Sequence, residues 1–125
     1  MSVTSQALRG YAKNAAPTRS DRRAEYEVIG RVTQELRDSA LNQKTDFPTF
    51  VGALHKNQRL WTALVVDVMD AKNPIPNDLK ARILYLAEFT NHHSRKVLKK
   101  KASIMPLLEI NMAVLRGLKK EGAVT

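Results

Sequence analysis

Apolar residues recur at helical spacing from Phe50 to Met69, the longest uninterrupted pattern of this kind in the chain. Steps of three or four residues place such side chains on one face of a helix with 3.6 residues per turn. The stripe consists of Phe50, Leu54, Trp61, Leu64 and Val68, and it is widened by Val51, Leu60, Val65 and Val66. A helix that is apolar over so much of its circumference must be covered on more than one side. We therefore predict a central helix with Leu54, Trp61 and Leu64 in the core.

Asn57 interrupts this apolar stripe between Leu54 and Trp61. A buried amide needs partners for its carbonyl oxygen and for its two N–H donors. Two interpretations are open: Asn57 bridges to a neighbouring helix or a partly open edge, or it contacts a ligand. The first is favoured because buried polar groups are usually hydrogen-bonded within the protein.

Three further segments have the spacing of amphipathic helices. The segment before the central helix has one stripe, formed by Val28, Ile29, Val32, Leu36 and Ala40. The first segment after it carries Leu79, Ile83, Leu86, Phe89 or Thr90, Val97 and Leu98, and the last carries Leu107, Leu108, Ile110, Met112, Val114, Leu115 and Leu118. We predict that Ile83 and Leu115 belong to the core.

Capping and breaking residues separate these segments. Asp46 can cap the central helix, and two prolines, Pro74 and Pro76, forbid helix after it. The remaining boundaries are predicted at Asn77 or Asp78, either of which can cap the next helix, and at Gly117 or Gly122, either of which can end the last one.

These elements predict an all-α fold, because no strand-type alternation of useful length appears. We expect a compact bundle of four main helices in residues 17–125, preceded by an N-terminal arm or short helix in residues 1–16. A length of 125 residues is typical of one domain.

Basic residues exceed acidic ones by 21 to 12, which gives a net charge of +9. Such an excess favours an acidic partner, which is nucleic acid, an acidic protein surface or anionic lipid. The chain has no cysteine, no signal peptide pattern and no apolar run of membrane-spanning length. We therefore expect a soluble, cytoplasmic protein with no membrane partner.

Candidate chemistry is sparse. His92 and His93 are adjacent and point about 100° apart on a helix, so they cannot chelate one ion together. Asp67 and Asp70 lie near a helix C-terminus, and a contact with Arg82 or with loop N–H groups explains them better than catalysis. We predict no enzymatic activity, no metal and no cofactor.

The basic segment from Arg95 to Lys101 ends a helix and offers phosphate contacts, so RNA binding is an alternative. The aromatic residues lie mostly on apolar stripes and are not interleaved with the basic ones. A solvated helix end is therefore the favoured interpretation of this segment, and nucleic acid is not the expected partner.

Several motifs, in this order, resemble the FlaF family of bacterial flagellin-biosynthesis regulators. They are NQRLW from Asn57, VVDV from Val65, NPIP from Asn73, LKARI from Leu79, LAEF from Leu86 and PLLEINMAVLRGL from Pro106. The resemblance covers about Tyr26 to Leu118.

The resemblance implies a helical protein that binds cytoplasmic flagellin and promotes its synthesis or export as a secretion chaperone. It also implies a link to FlbT, a repressor acting on flagellin messenger RNA, and it implies no cofactor. Family motif positions that map here are Asn57, Arg59, Leu60, Trp61, Asp67, Asn73, Pro76, Asn111 and Gly117. From these we predict that the partner-binding residues are Asn57, Arg59, Asp67 and Asn111. An RNA-binding regulator of flagellin expression and a structural adaptor are the alternatives.

Overall fold

The computed structural model describes residues 19–124, with side chains described for residues 23–117. It contains four helices: α1 (Arg19–Leu41), α2 (Phe47–Met69), α3 (Asn77–Leu98) and α4 (Met105–Val124). Within residues 19–124 there is no strand, so the prediction of an all-α bundle of four main helices is confirmed. The predicted N-terminal arm, residues 1–16, lies outside the described residues.

The four helices form a ring of neighbours. Helix α1 packs against α2 and α4, α2 also packs against α3, and the contact between α3 and α4 is the weakest of the four pairs. Because the links between consecutive helices are short, each helix runs antiparallel to the one before it. Helices α1 and α3 therefore lie at opposite corners.

Local side-chain contacts define both ends of α2. Asp46 caps its start, as predicted, by accepting a hydrogen bond from the backbone N–H of Thr49 at 3.3 Å. At its other end, Asn73 donates from its side-chain amide to the backbone carbonyl of Asp67 at 3.1 Å. The Asn73 side chain also accepts from the backbone N–H of Ile75, which fixes the link to α3.

Two predicted boundaries are wrong. The capping position of α3 is Pro76 rather than Asn77 or Asp78, and no side chain caps this helix. Helix α4 continues through Gly117 and Gly122 to Val124. A glycine ends a helix when it adopts positive φ, and no glycine in the described part of the chain does so.

The core consists of two apolar clusters. The first draws on all four helices, through Leu36, Phe50, Ala53, Leu54, Val97, Leu107 and Leu108. The second contains Ile29, Leu60 and Leu115, which come from α1, α2 and α4 alone. Leu64 is partly buried against this second cluster.

The side chains predicted to form the core differ in how far they are covered. Leu54, Trp61 and Leu115 are buried. Ile83 was predicted to be a core residue, but it is only partly buried and belongs to neither cluster. The reason is that α3 contributes nothing to the second cluster. No helix in the described residues is long and apolar enough to cross a bilayer.

Candidate partner-binding surfaces

A buried polar network joins three helices at the centre of the bundle. Asn111 of α4 accepts a 2.9 Å hydrogen bond from the indole N–H of Trp61. Its amide nitrogen donates to the hydroxyl of Thr33 at 3.1 Å and to the side-chain oxygen of Asn57 at 2.7 Å. The Thr33 hydroxyl in turn donates to the carbonyl of Ile29 at 2.7 Å. One amide therefore links α1, α2 and α4.

Asn57 and Asn111 are buried, with 0% and 1% of their surface exposed. The sequence predicted both as partner-binding residues, and the structure places them where a partner cannot reach them. The favoured interpretation of Asn57, a bridge to a neighbouring helix, matches the contact with Asn111. The Asn57 amide nitrogen has no hydrogen-bond partner among the described residues.

The inward side of α3 carries small and polar residues that the sequence analysis mostly passed over. Ala87, Thr90, Ser94 and Val97 are buried and mark the side of α3 that faces the bundle. Thr90 rather than Phe89 is therefore the buried member of that pair. Small side chains at steps of three and four residues allow α3 to approach α2 closely.

The inward stripe of α3 becomes exposed toward the start of the helix. Steps of four residues extend it from Ala87 to Ile83 and then to Leu79. Ile83 is partly buried and Leu79 is exposed, although both are apolar and lie on the side that faces the bundle. This exposure follows from the limited contact between α3 and α4, since α3 reaches the first cluster but not the second.

An apolar surface is thus left uncovered at this end of the bundle, and we call it the open face. It comprises Met69 and Leu79, which are exposed, and Ile83 and Leu86, which are partly buried. Met69 is the last residue of α2 and is 58% exposed. Exposed apolar groups that lie together are typical of surfaces that bind another protein.

Two further features of the described residues are a depression between two helices and a histidine contact. An open depression between α1 and α2 holds about 560 Å³ and is lined by Glu35, Asp38, Ser39, Asn42, Asp46, Thr49, Gly52, Ala53 and Lys56. No group of three or more potential metal ligands occurs in the part of the chain that the structure describes. His93 instead contacts the carbonyl oxygen of Ser103 at 2.7 Å and stacks on Phe89.

A family model, described as flagellar protein FlaF, matches residues 7–118 and so covers most of the chain. The chain belongs to the FlaF family. No curated protein and no solved structure matched it. Membership gives the chain a role connected with the flagellum.

The FlaF motif residues fall into different environments. Arg59 is exposed on α2, where a partner can reach it. Asp67 is half-buried near the end of α2, and its backbone carbonyl holds Asn73. The structure therefore does not bring the four predicted partner-binding residues together: two are in the core, one is exposed, and one borders the α2–α3 link.

The carboxylates at the end of α2 have structural contacts. Asp70 accepts a hydrogen bond from the backbone N–H of Lys72 at 2.9 Å. A contact with loop N–H groups is one of the two that the sequence favours for Asp67 and Asp70.

Thr33 belongs to the buried polar network but is not among the residues predicted from the sequence. Its position gives a signal, because it lies four residues after Ile29 and three before Leu36 and so shares their stripe.

Proposed function

We propose that this FlaF-family chain binds flagellin in the cytoplasm and promotes its synthesis or export as a secretion chaperone. The observation that carries the proposal is the open face, where the inward stripe of α3 continues through the partly buried Ile83 to the exposed Leu79. Family membership makes a flagellar protein the expected partner.

The proposed mechanism is the docking of an amphipathic helix of flagellin on the open face. Leu79, Ile83 and Leu86 are spaced by four and three residues, so they form one ridge along α3. An amphipathic partner helix lays its own apolar stripe against such a surface. Covering the terminal segments of flagellin in this way would prevent their premature assembly.

The proposal requires no cofactor and no enzymatic step. A chaperone can bind its client protein by burying apolar surface alone. A competing partner is then enough to release the client. FlbT is a second protein partner that the same proposal includes, and its binding is measured separately from that of flagellin.

Size-exclusion chromatography of the chain with monomeric flagellin tests the proposal. We expect a stable complex whose dissociation constant changes less than about tenfold between low and moderate salt, because apolar contacts are weakly screened. A flagellin without its terminal helical segments should not bind. If flagellin fails to bind, while the leader of its messenger RNA binds and loses about 10³-fold in affinity over the same salt range, the RNA-binding alternative is correct.

A further inference from the structure

Six cationic side chains lie at the end of the bundle opposite the open face, and we call this the basic end. They are Lys44, Arg95, Lys96, Lys99, Lys100 and Lys101. Lys44 is in the α1–α2 link, and the other five belong to the last turn of α3 and the link that follows. The two links meet because Ala40, Phe47, Leu98 and Ala102 all pack against the first core cluster.

The charge of the basic end is not compensated within the described part of the protein. All six side chains are exposed, and none forms a salt bridge with a described residue. The C-terminus of α3 carries about half a negative elementary charge, which offsets only a small part of the five positive charges beside it. Asp46, the cap of α2 in the link that holds Lys44, contributes one negative charge. The basic end therefore keeps a net positive charge.

Lys100 adds a second observation. Its φ is 60°, the left-handed conformation that favours glycine at the end of a helix. Its ammonium group lies 5.2 Å from the centre of the Phe47 ring. A lysine at this position costs backbone strain that a glycine would avoid, and the contact of its ammonium group with the Phe47 ring offsets part of that cost.

Two exposed aliphatic side chains accompany these cations. Leu41 is 80% exposed and Met105 is 54% exposed. They lie at the same end because their neighbours Ala40 and Ile104 pack against the same core cluster. Cations beside exposed aliphatic side chains are typical of surfaces that bind anionic membranes, where the cations meet headgroup phosphates and the aliphatic groups enter the acyl boundary.

We propose that the basic end is a binding surface for an anionic lipid bilayer, on which the cations meet headgroup phosphates while Leu41 and Met105 enter the acyl boundary. This replaces the expectation of no membrane partner, which rested on the absence of a spanning segment. Surface binding needs no such segment. The site is separate from the open face, so it goes beyond flagellin binding and does not depend on it.

Vesicle cosedimentation of the full chain tests this surface. We expect binding to vesicles of equal parts phosphatidylcholine and phosphatidylglycerol, weakening as salt is added, and no binding to phosphatidylcholine alone. The triple change Lys99→Glu, Lys100→Glu and Lys101→Glu should reduce the affinity by at least about 100-fold. Its matched control reverses three exposed cations elsewhere, Lys72→Glu, Arg82→Glu and Arg116→Glu, and should reduce it much less.

A second pair of variants isolates the aliphatic contribution. Leu41→Ser with Met105→Ser should weaken vesicle binding by about tenfold or more, because both side chains lose their burial in lipid. The control pair, Met69→Ser with Tyr85→Ser, removes exposed apolar groups elsewhere and should have no effect. Circular dichroism checks the fold of each variant. If the triple glutamate variant does not fold, Lys99→Gln, Lys100→Gln and Lys101→Gln together take its place.

Three results would overturn the proposal. The first is no binding to the anionic vesicles at low salt, and the second is equal binding to both vesicle types. The third combines two observations. The Leu41→Ser, Met105→Ser variant binds vesicles as well as the parent does, and the parent binds polyuridylate more tightly than vesicles while the triple lysine variant does not bind polyuridylate. That third pattern would make the basic end a nucleic-acid surface.

Discussion

Trp61 donates its indole N–H to the side-chain oxygen of Asn111, a residue 50 positions later in the chain, at 2.9 Å inside the core. The bond ties the central helix α2 to α4, and the same Asn111 amide then donates to Thr33 and Asn57. Three helices are thus held in one register by polar contacts within a mostly apolar interior. Such networks are costly when one member is removed, because the others remain buried without partners.

Trp61→Phe should lower the free energy of unfolding by about 1–3 kcal/mol, because it leaves the Asn111 oxygen without its donor. Trp61→Ala should cost about 3–5 kcal/mol, since it also opens a cavity. Urea unfolding followed by circular dichroism measures both, since the chain has no other tryptophan to report by fluorescence. A Trp61→Ala protein that melts like the parent would show that Trp61 is not a core residue.

Asn111→Ala should cost about 2–6 kcal/mol, because the Trp61 N–H and the Asn57 oxygen both lose their partner. The matched control is Asn91→Ala, on α3 and only partly buried, which should change the unfolding free energy by less than about 0.5 kcal/mol. Equal effects of the two changes would mean that the network does not stabilise the fold.

Substitutions at Lys100 should separate backbone strain from the contact with Phe47. Lys100→Gly relieves the left-handed conformation, whereas Lys100→Ala keeps the strain and also removes the cation. We expect Gly to be more stable than Ala by about 1–2 kcal/mol, with lysine between them. Thermal unfolding at fixed salt gives this order, and an alanine variant as stable as the glycine variant would contradict the strain.

Charges placed on the open face should weaken flagellin binding without unfolding the chain. Met69→Glu with Leu79→Glu should reduce the affinity at least tenfold, because two exposed apolar contacts are replaced by groups that must be desolvated. Tyr85→Glu is the control, since Tyr85 is 66% exposed and lies about 120° around α3 from Leu79. Titration calorimetry with monomeric flagellin measures each affinity. An equal loss in the control would place the binding surface elsewhere.

The salt bridge between Lys56 and Glu35 should contribute little, despite its 2.8 Å length, because both side chains are about half exposed. Lys56→Ala should change the unfolding free energy by less than about 1 kcal/mol, and the change should shrink as salt is added. A larger effect that persists at high salt would mean that the lysine stem stabilises the α1–α2 contact by packing.

The sequence by itself determined the helices and most of their inward faces. Phe50, Leu54, Trp61 and Val68 were placed on one stripe by spacing alone, and all four are buried. Asp46 could likewise be identified as a cap from local sequence, because its side chain bonds a backbone N–H only three residues away. Periodicity and capping are local, so they can be read without knowing which helices meet.

Only the tertiary structure decided which residues remain accessible. Asn57 and Asn111 share a core bond across 54 residues, and nothing local marks them as partners of each other rather than of flagellin. Ile83 and Leu79 continue a stripe that is buried at Ala87, and they are only partly covered because α3 makes limited contact with α4. Leu41 and Met105 lie at the same end as the lysines because antiparallel helices bring distant links to one end. Exposure depends on the distances and directions of neighbouring helices, and these are set by packing between segments far apart in the chain.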